Sequence, residues 1–190
     1  IDDGIAAAVA DAMPALAVTD LANAFGLVKF YRAARARGVK PIIGCDVWLT
    51  HETERDQPFR ALLLAQSRAG YLRLSAWLTR AYRGNQHRGH AELKRDWFAE
   101  GTDGLIALSG ARDGEVGAAL LQGNTSGAAV AARAWASLFP GRYYLEVQRA
   151  GQPEAENITR ATVALAASLE LPVVATHPVQ FPRREDFRAH

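Results

Sequence analysis

Two aspartates stand where chemistry is usually placed. Asp20 closes the short apolar segment Ala15–Thr19, and Asp46 follows the apolar run that begins at Pro41. In α/β folds the loops after strand C-termini carry the ligands and reacting groups, so two carboxylates at two strand ends are candidate oxygen donors for a metal ion. Two other features invite the same question. His87-Arg88-Gly89-His90 spaces two histidines three apart, a metal-gripping spacing on a helix; in a Gly-rich loop without cysteine or carboxylate it reads as solvated surface. Cys45 lies within a strand-like run with no histidine placed by sequence to activate it, so it reads as a small buried hydrophobe and not as a nucleophile.

The elements that position the aspartates form one βαβ unit over Met13–Leu49. A first strand runs over Ala15–Thr19. Leu27, Phe30, Tyr31 and Ala34 then recur at helical spacing, with Lys29, Arg32 and Arg35 on the opposite side. Gly38 stands where a left-handed helix stop belongs, and Pro41 opens the next strand.

Downstream, strands and helices keep alternating. Strands are expected at Arg60–Ala65, Gly104–Ser109, Tyr143–Gln148 and Pro172–Thr176. Helices are expected from a Ser67 cap through Arg83, with Tyr71, Leu74, Trp77, Leu78 and Tyr82 as one core stripe. A short helix closes at Trp97-Phe98. Another starts at Asp113-Gly114-Glu115, and a long one capped by Thr125 or Ser126 ends at Phe139. A last helix covers Pro153–Leu169, and Gly84–His90 reads as a flexible basic loop. This alternation argues for a mainly parallel sheet or barrel. No strand is followed by a Gly-rich phosphate turn, which weighs against a dinucleotide-binding reading.

Composition bounds the rest. The 190 residues are 49% hydrophobic and 22% charged, with net charge +2 and one cysteine. Such a chain builds a core, cannot form an internal disulfide and shows no concentrated basic face, so a cytoplasmic location is expected. Scattered cations at Arg83, Arg88, Lys94 and Arg95 read as solvation more than as a DNA track. The start at Ile1-Asp2-Asp3-Gly4 and the uncapped end at His190 lead to the expectation of a fragment lacking its first strand.

PALAVTD, Asn23, Gly26-Leu27-Val28-Lys29-Phe30-Tyr31, KPIIGCDV, GLIALSG, RYYLEVQR and LPVVAT, in this order, resemble the polymerase and histidinol phosphatase (PHP) domain found at the N-terminus of bacterial DNA polymerase III alpha subunits. The resemblance implies an α/β fold, a distorted TIM-like (β/α)7 barrel spanning residues 1–190, with a first strand bearing H-x-H that is absent here. In active members His, Asp, Glu and Cys at the strand ends hold metal ions that activate water for phosphoester hydrolysis.

Carried over by motif, that ligand set is depleted. Asp20 remains, but the next ligand position is Leu21; the glutamate is shortened to Asp46; a histidine position is Arg60; a cysteine position is Ala111. The last motif reads His177-Pro178-Val179-Gln180, so Pro178 and Gln180 replace a ligand pair and His177 is displaced by one. Leucine, alanine and proline offer no donor, and an arginine is a competing cation. The expectation is a dead metal site with no catalytic residue and no cofactor of its own. Asp20, Asp46 and Arg60 would converge as an ion cluster, with His177 as a remnant beside them. The resemblance further implies a scaffold that supports the rest of a DNA-directed DNA polymerase, a magnesium-dependent nucleotidyltransferase of DNA replication, and docks its proofreading exonuclease subunit, with little or no DNA contact of its own. A metal-dependent phosphoesterase or 3′–5′ exonuclease with rearranged ligands is the alternative, and an error-prone paralogue of the polymerase a third.

Overall fold

The computed structural model describes residues 1–149, 151, 155–179 and 181. Helix α1 (Asp2–Ala10) precedes β1 (Ala15–Val18), α2 (Leu27–Ala36) and β2 (Lys40–Leu49). Then follow β3 (Phe59–Ala65), α3 (Arg68–Gly84), β4 (Gln86–His87) and β5 (His90–Leu93). A 3-10 turn (Arg95–Glu100) leads to β6 (Leu105–Leu108), and a second (Ala111–Asp113) leads to α4 (Glu115–Leu121). Helix α5 (Thr125–Leu138), β7 (Tyr143–Gln148), α6 (Ala155–Leu169) and β8 (Val173–Thr176) complete the described elements.

The α/β fold expected from sequence is present, with two differences. The sheet is mixed: β2–β3 and β3–β6 pair antiparallel, whereas β1–β2, β2–β5, β6–β7 and β7–β8 pair parallel. The strands run in the order β4-β5-β2-β3-β6-β7-β8, with β1 joined to β2. Among the described residues no strand bridges β8 to β1, so the barrel is not closed.

The ten residues of β2 serve three neighbours. Residues 40–43 pair with β1, residues 44–49 with β3, and Trp48-Leu49 also reach β5. The crossing point is Gly44, where a Cβ would lie 2.6 Å from Leu64 Cδ2 and 2.7 Å from the Leu63 carbonyl oxygen. Only glycine fits such an approach.

The main core joins β2, β3, β6 and β7 to α3 and α5. Phe98 packs against Trp77, Trp135 and Phe139 with ring centroids 5.0, 5.3 and 5.7 Å apart. A smaller core of Ile5, Phe30, Ala34 and Val39 seats α1 and α2. Three sequence expectations are corrected here. Tyr31, Tyr71 and Tyr82 are exposed, because helical spacing marks a face but not how far neighbouring elements cover it. The expected loop at Gly84–His90 instead holds β4 and the turn into β5, a hairpin that polar and glycine residues do not advertise. Helix α5 is capped by Asn124, whose Oδ1 accepts from Gly127 N at 2.8 Å, one residue ahead of the expected cap. Ser67 does cap α3, accepting from Gly70 N at 3.2 Å.

Candidate functional site: an arginine-paired aspartate on the second strand

Asp46 and Arg60 meet because of sheet register. Asp46 lies opposite Leu62 and Trp48 opposite Arg60, so Arg60 is the diagonal same-face neighbour of Asp46 across an antiparallel pair. The guanidinium takes both carboxylate oxygens, Nε to Oδ1 at 2.9 Å and Nη2 to Oδ2, while resting 5.0 Å from the Trp48 ring centroid. Each side chain keeps about a quarter of its surface, 25% for Asp46 and 26% for Arg60. Burial pushes the Asp46 carboxyl above its ordinary value although Arg60 pulls it down. Burial also opposes the Arg60 charge, but the hydrogen bond and charge of Asp46 outweigh it and hold Arg60 above its usual range.

Asp20 does not join this pair, which corrects the expected three-way convergence. Its backbone is tied to β2, with Asp46 N donating to Asp20 O at 3.2 Å, but its carboxylate turns to the start of α2. There Oδ2 accepts from Gly26 N at 3.2 Å, an anion on an otherwise uncapped helix N-terminus. Between the two acids Cys45 is fully buried, its Sγ within 3.3 Å of Asp20 O and 3.4 Å of Asp46 O. Burial, reinforced by Asp46, pushes its thiol up to about 12, so it is no nucleophile.

A third carboxylate of the rim, Glu146 on β7, went unremarked in the sequence. It is 5% exposed, and its Oε2 accepts from Gly110 N at 3.1 Å. Its Oε1 takes Gln148 Nε2 at 3.0 Å and the Thr176 hydroxyl. Glu146 N in turn donates to Ser109 Oγ at 2.9 Å. The available signal was a lone acid inside an otherwise apolar strand of a parallel pair, where a charge needs dedicated donors. This network clamps the turn at Gly110 (φ 76) and Ala111 (φ 46), and a Cβ on Gly110 would fall 2.2 Å from Arg60 O. Ala22, beside Asp20, also has a left-handed backbone (φ 55). Two non-glycine residues in that conformation at one rim concentrate strain where such folds place their sites.

The remaining positions fall as follows. Leu21 is exposed, Ala111 is buried and Pro178 is exposed. His177 is exposed and pairs with none of these acids, so it is not a fourth member of the cluster. Gln180 lies outside the described residues. His87 bonds Asp56 through Nε2 at 2.5 Å, Arg88 pairs with the same carboxylate at 2.7 Å, and His90 stacks on Trp48 at 4.6 Å, so this region fastens a hairpin.

The donor set fits a metal poorly. Both Asp46 oxygens face a guanidinium, and both Glu146 oxygens and Asp20 Oδ2 are already hydrogen-bonded. Among the described residues no group of three or more His, Cys, Asp or Glu side chains is arranged to hold an ion.

A mixed sheet backed by helices, with β8 and β1 unpaired to each other, is the open form of an α/β barrel. It matches, over 92% of this chain and 80% of the other, the crystal structure of a Bifidobacterium adolescentis protein assigned as a metal-dependent phosphoesterase, at TM-score 0.52 and 11% identity, a likeness of fold alone. A family model of the PHP domain matches residues 1–150, and the chain belongs to that family. It is similar to the DNA polymerase III subunit alpha of Neisseria meningitidis serogroup A, 51% identical over 181 residues, covering 94% of this chain and 16% of that protein. It is also 41% identical over 183 residues to the DNA polymerase III subunit alpha of Escherichia coli K12, covering 96% of this chain and 16% of that protein. The chain thus spans 16% of the length of these curated relatives. Among the described residues no helix is long and apolar enough to cross a membrane.

Proposed function

We propose that this chain is the PHP domain of a bacterial DNA polymerase III alpha subunit, and that the domain itself is a catalytically silent scaffold. The observation that carries the second half is the two-pronged Arg60–Asp46 pair at a ligand position of the family. A fixed guanidinium supplies the positive charge that the rim carboxylates need and leaves no open coordination position for a water to be activated. The DNA-directed polymerisation of the relatives, with its magnesium, would belong to residues beyond this chain. The domain would support them and dock the proofreading exonuclease subunit. Residence in the bacterial cytoplasm follows from this reading.

The test is hydrolysis. With manganese added, the full-length protein carrying an intact chain here but an inactivated polymerase centre should cleave single-stranded DNA and phosphodiesters no faster than background. Manganese-dependent cleavage that disappears in Asp20→Ala or Asp46→Ala would instead establish the phosphoesterase or exonuclease reading.

A further inference from the structure

Helix α3 carries charge that the described molecule does not balance. It holds Arg68, Arg73, Arg80 and Arg83 and no acid. Arg68 is its first helical residue, where the macrodipole disfavours a cation, and Arg80 and Arg83 are like charges one turn apart. Two of the four have local partners. Arg80 reaches Glu100 Oε1 at 2.6 Å and lies over Trp97 at 4.2 Å, and Arg73 donates to the Glu100 carbonyl at 2.9 Å. Arg68 and Arg83 are exposed, and neither meets an acid among the described residues.

The surface between them is small and mixed: Leu72 and Ala76 are apolar, whereas the Ser75 and Thr79 hydroxyls donate back to the Tyr71 and Ser75 carbonyls. Leu72 is 54% exposed, and with Ser75, Ala76 and Thr79 it floors a shallow depression of about 670 Å³ that ends at Arg83. The opposite side of helix α3 packs on β3, β4 and β5.

We propose that the outer face of α3 docks an acidic amphipathic segment of a partner polypeptide, an apolar side chain seated over Leu72 and Ala76 and carboxylates reaching Arg68 and Arg83. An apolar centre inside a charged rim is how protein interfaces are built, and arginine is over-represented among their anchoring residues. A nucleic-acid backbone fits less well. Arg68 and Arg83 stand about 22 Å apart at 1.5 Å per residue, and a phosphate strand between them would find only the already paired Arg80 as a cation to meet it. The proposal rests on the scaffold reading only in giving the domain a docking role.

Binding to the full-length protein is read by fluorescence anisotropy with three probes: a labelled helical peptide of leucine and glutamate, its leucine–glutamine counterpart, and a labelled DNA duplex. The acidic peptide should bind at least about tenfold more weakly to Leu72→Glu and to Arg83→Glu, and the glutamine peptide should bind the unsubstituted protein more weakly than the acidic one. DNA affinity should stay unchanged. Leu72→Ala and Arg83→Gln, with unfolding midpoints, separate surface loss from misfolding. Equal peptide affinity across variants, no peptide binding at all, or a loss of DNA binding instead would overturn the proposal. Manganese-dependent cleavage would sink the scaffold reading and leave the peptide result standing.

Discussion

Asp46–Arg60 and Glu92–Arg55 are the same chemistry in two surroundings. Each joins a strand carboxylate to an arginine through a guanidinium Nε, at 2.9 and 3.0 Å. At the rim both partners keep about a quarter of their surface, and the contact is two-pronged. On β5 the carboxylate is 0% exposed and only one oxygen is engaged, by Arg55 and the Thr50 hydroxyl at 2.9 Å, while Oε1 has no partner. Asn85 closes that second network, bonding Arg55, Thr50 and the Glu92 carbonyl. Although Arg55 itself is 38% exposed, its bond to the buried Glu92 carboxylate ties the β2–β3 connection to the β4–β5 hairpin. The rim pair keeps the solvent access of a site and spends its donors on itself. The two pairs thus differ in how far the carboxylate is withdrawn from water, Glu92 wholly and Asp46 by about three quarters.

That contrast sets the order of expected losses. Arg55→Ala would strand a fully buried carboxylate with a single hydroxyl donor, and should cost about 3–5 kcal/mol in chemical denaturation. Arg60→Ala leaves a carboxylate that water can reach, so the loss should be smaller, about 1–3 kcal/mol. Arg88→Ala removes an exposed surface pair and should barely move the midpoint. Equal losses at Arg55 and Arg60 would erase the distinction between fastening and site.

A smaller effect concerns pH. Burial holds the Asp46 carboxyl above its ordinary value, so the folded state keeps that proton longer than the unfolded chain does. Its contribution to stability is therefore full below the unfolded carboxyl range and is lost as pH rises through the folded value. Asp46→Asn lacks that slope. Relative to the unsubstituted protein, the variant should be least stable near pH 4 and improve toward pH 7. A relative stability that instead falls with rising pH would mean that Arg60, and not burial, governs the carboxylate.

Much of the fold was legible because its signals are local. The Ser67 cap, the α3 core positions Leu74, Trp77 and Leu78, and the βαβ unit before Leu49 all follow from spacing and end residues. The antiparallel insertion of β3 was not legible, since pairing direction depends on non-local register; yet that register brings Arg60 to Asp46. The meeting of Asp46 and Arg60 was expected only through the family likeness. Asp20 was misjudged because a carboxylate three residues before Asn23 can serve its own loop, and the helix start at Gly26 supplied the nearer donor. Glu146 was overlooked because two of its donors, Gly110 and Thr176, come from segments remote in sequence.

The central proposal is that the Arg60 guanidinium stands at a metal-ligand position implied by the PHP resemblance. Elemental analysis of the full-length protein, purified without chelators, addresses it without relying on activity. The account predicts less than one equivalent of zinc, manganese and iron combined per chain, and no increase after manganese is added and excess removed. Two or three tightly held equivalents, lost together in Asp46→Ala, would contradict it.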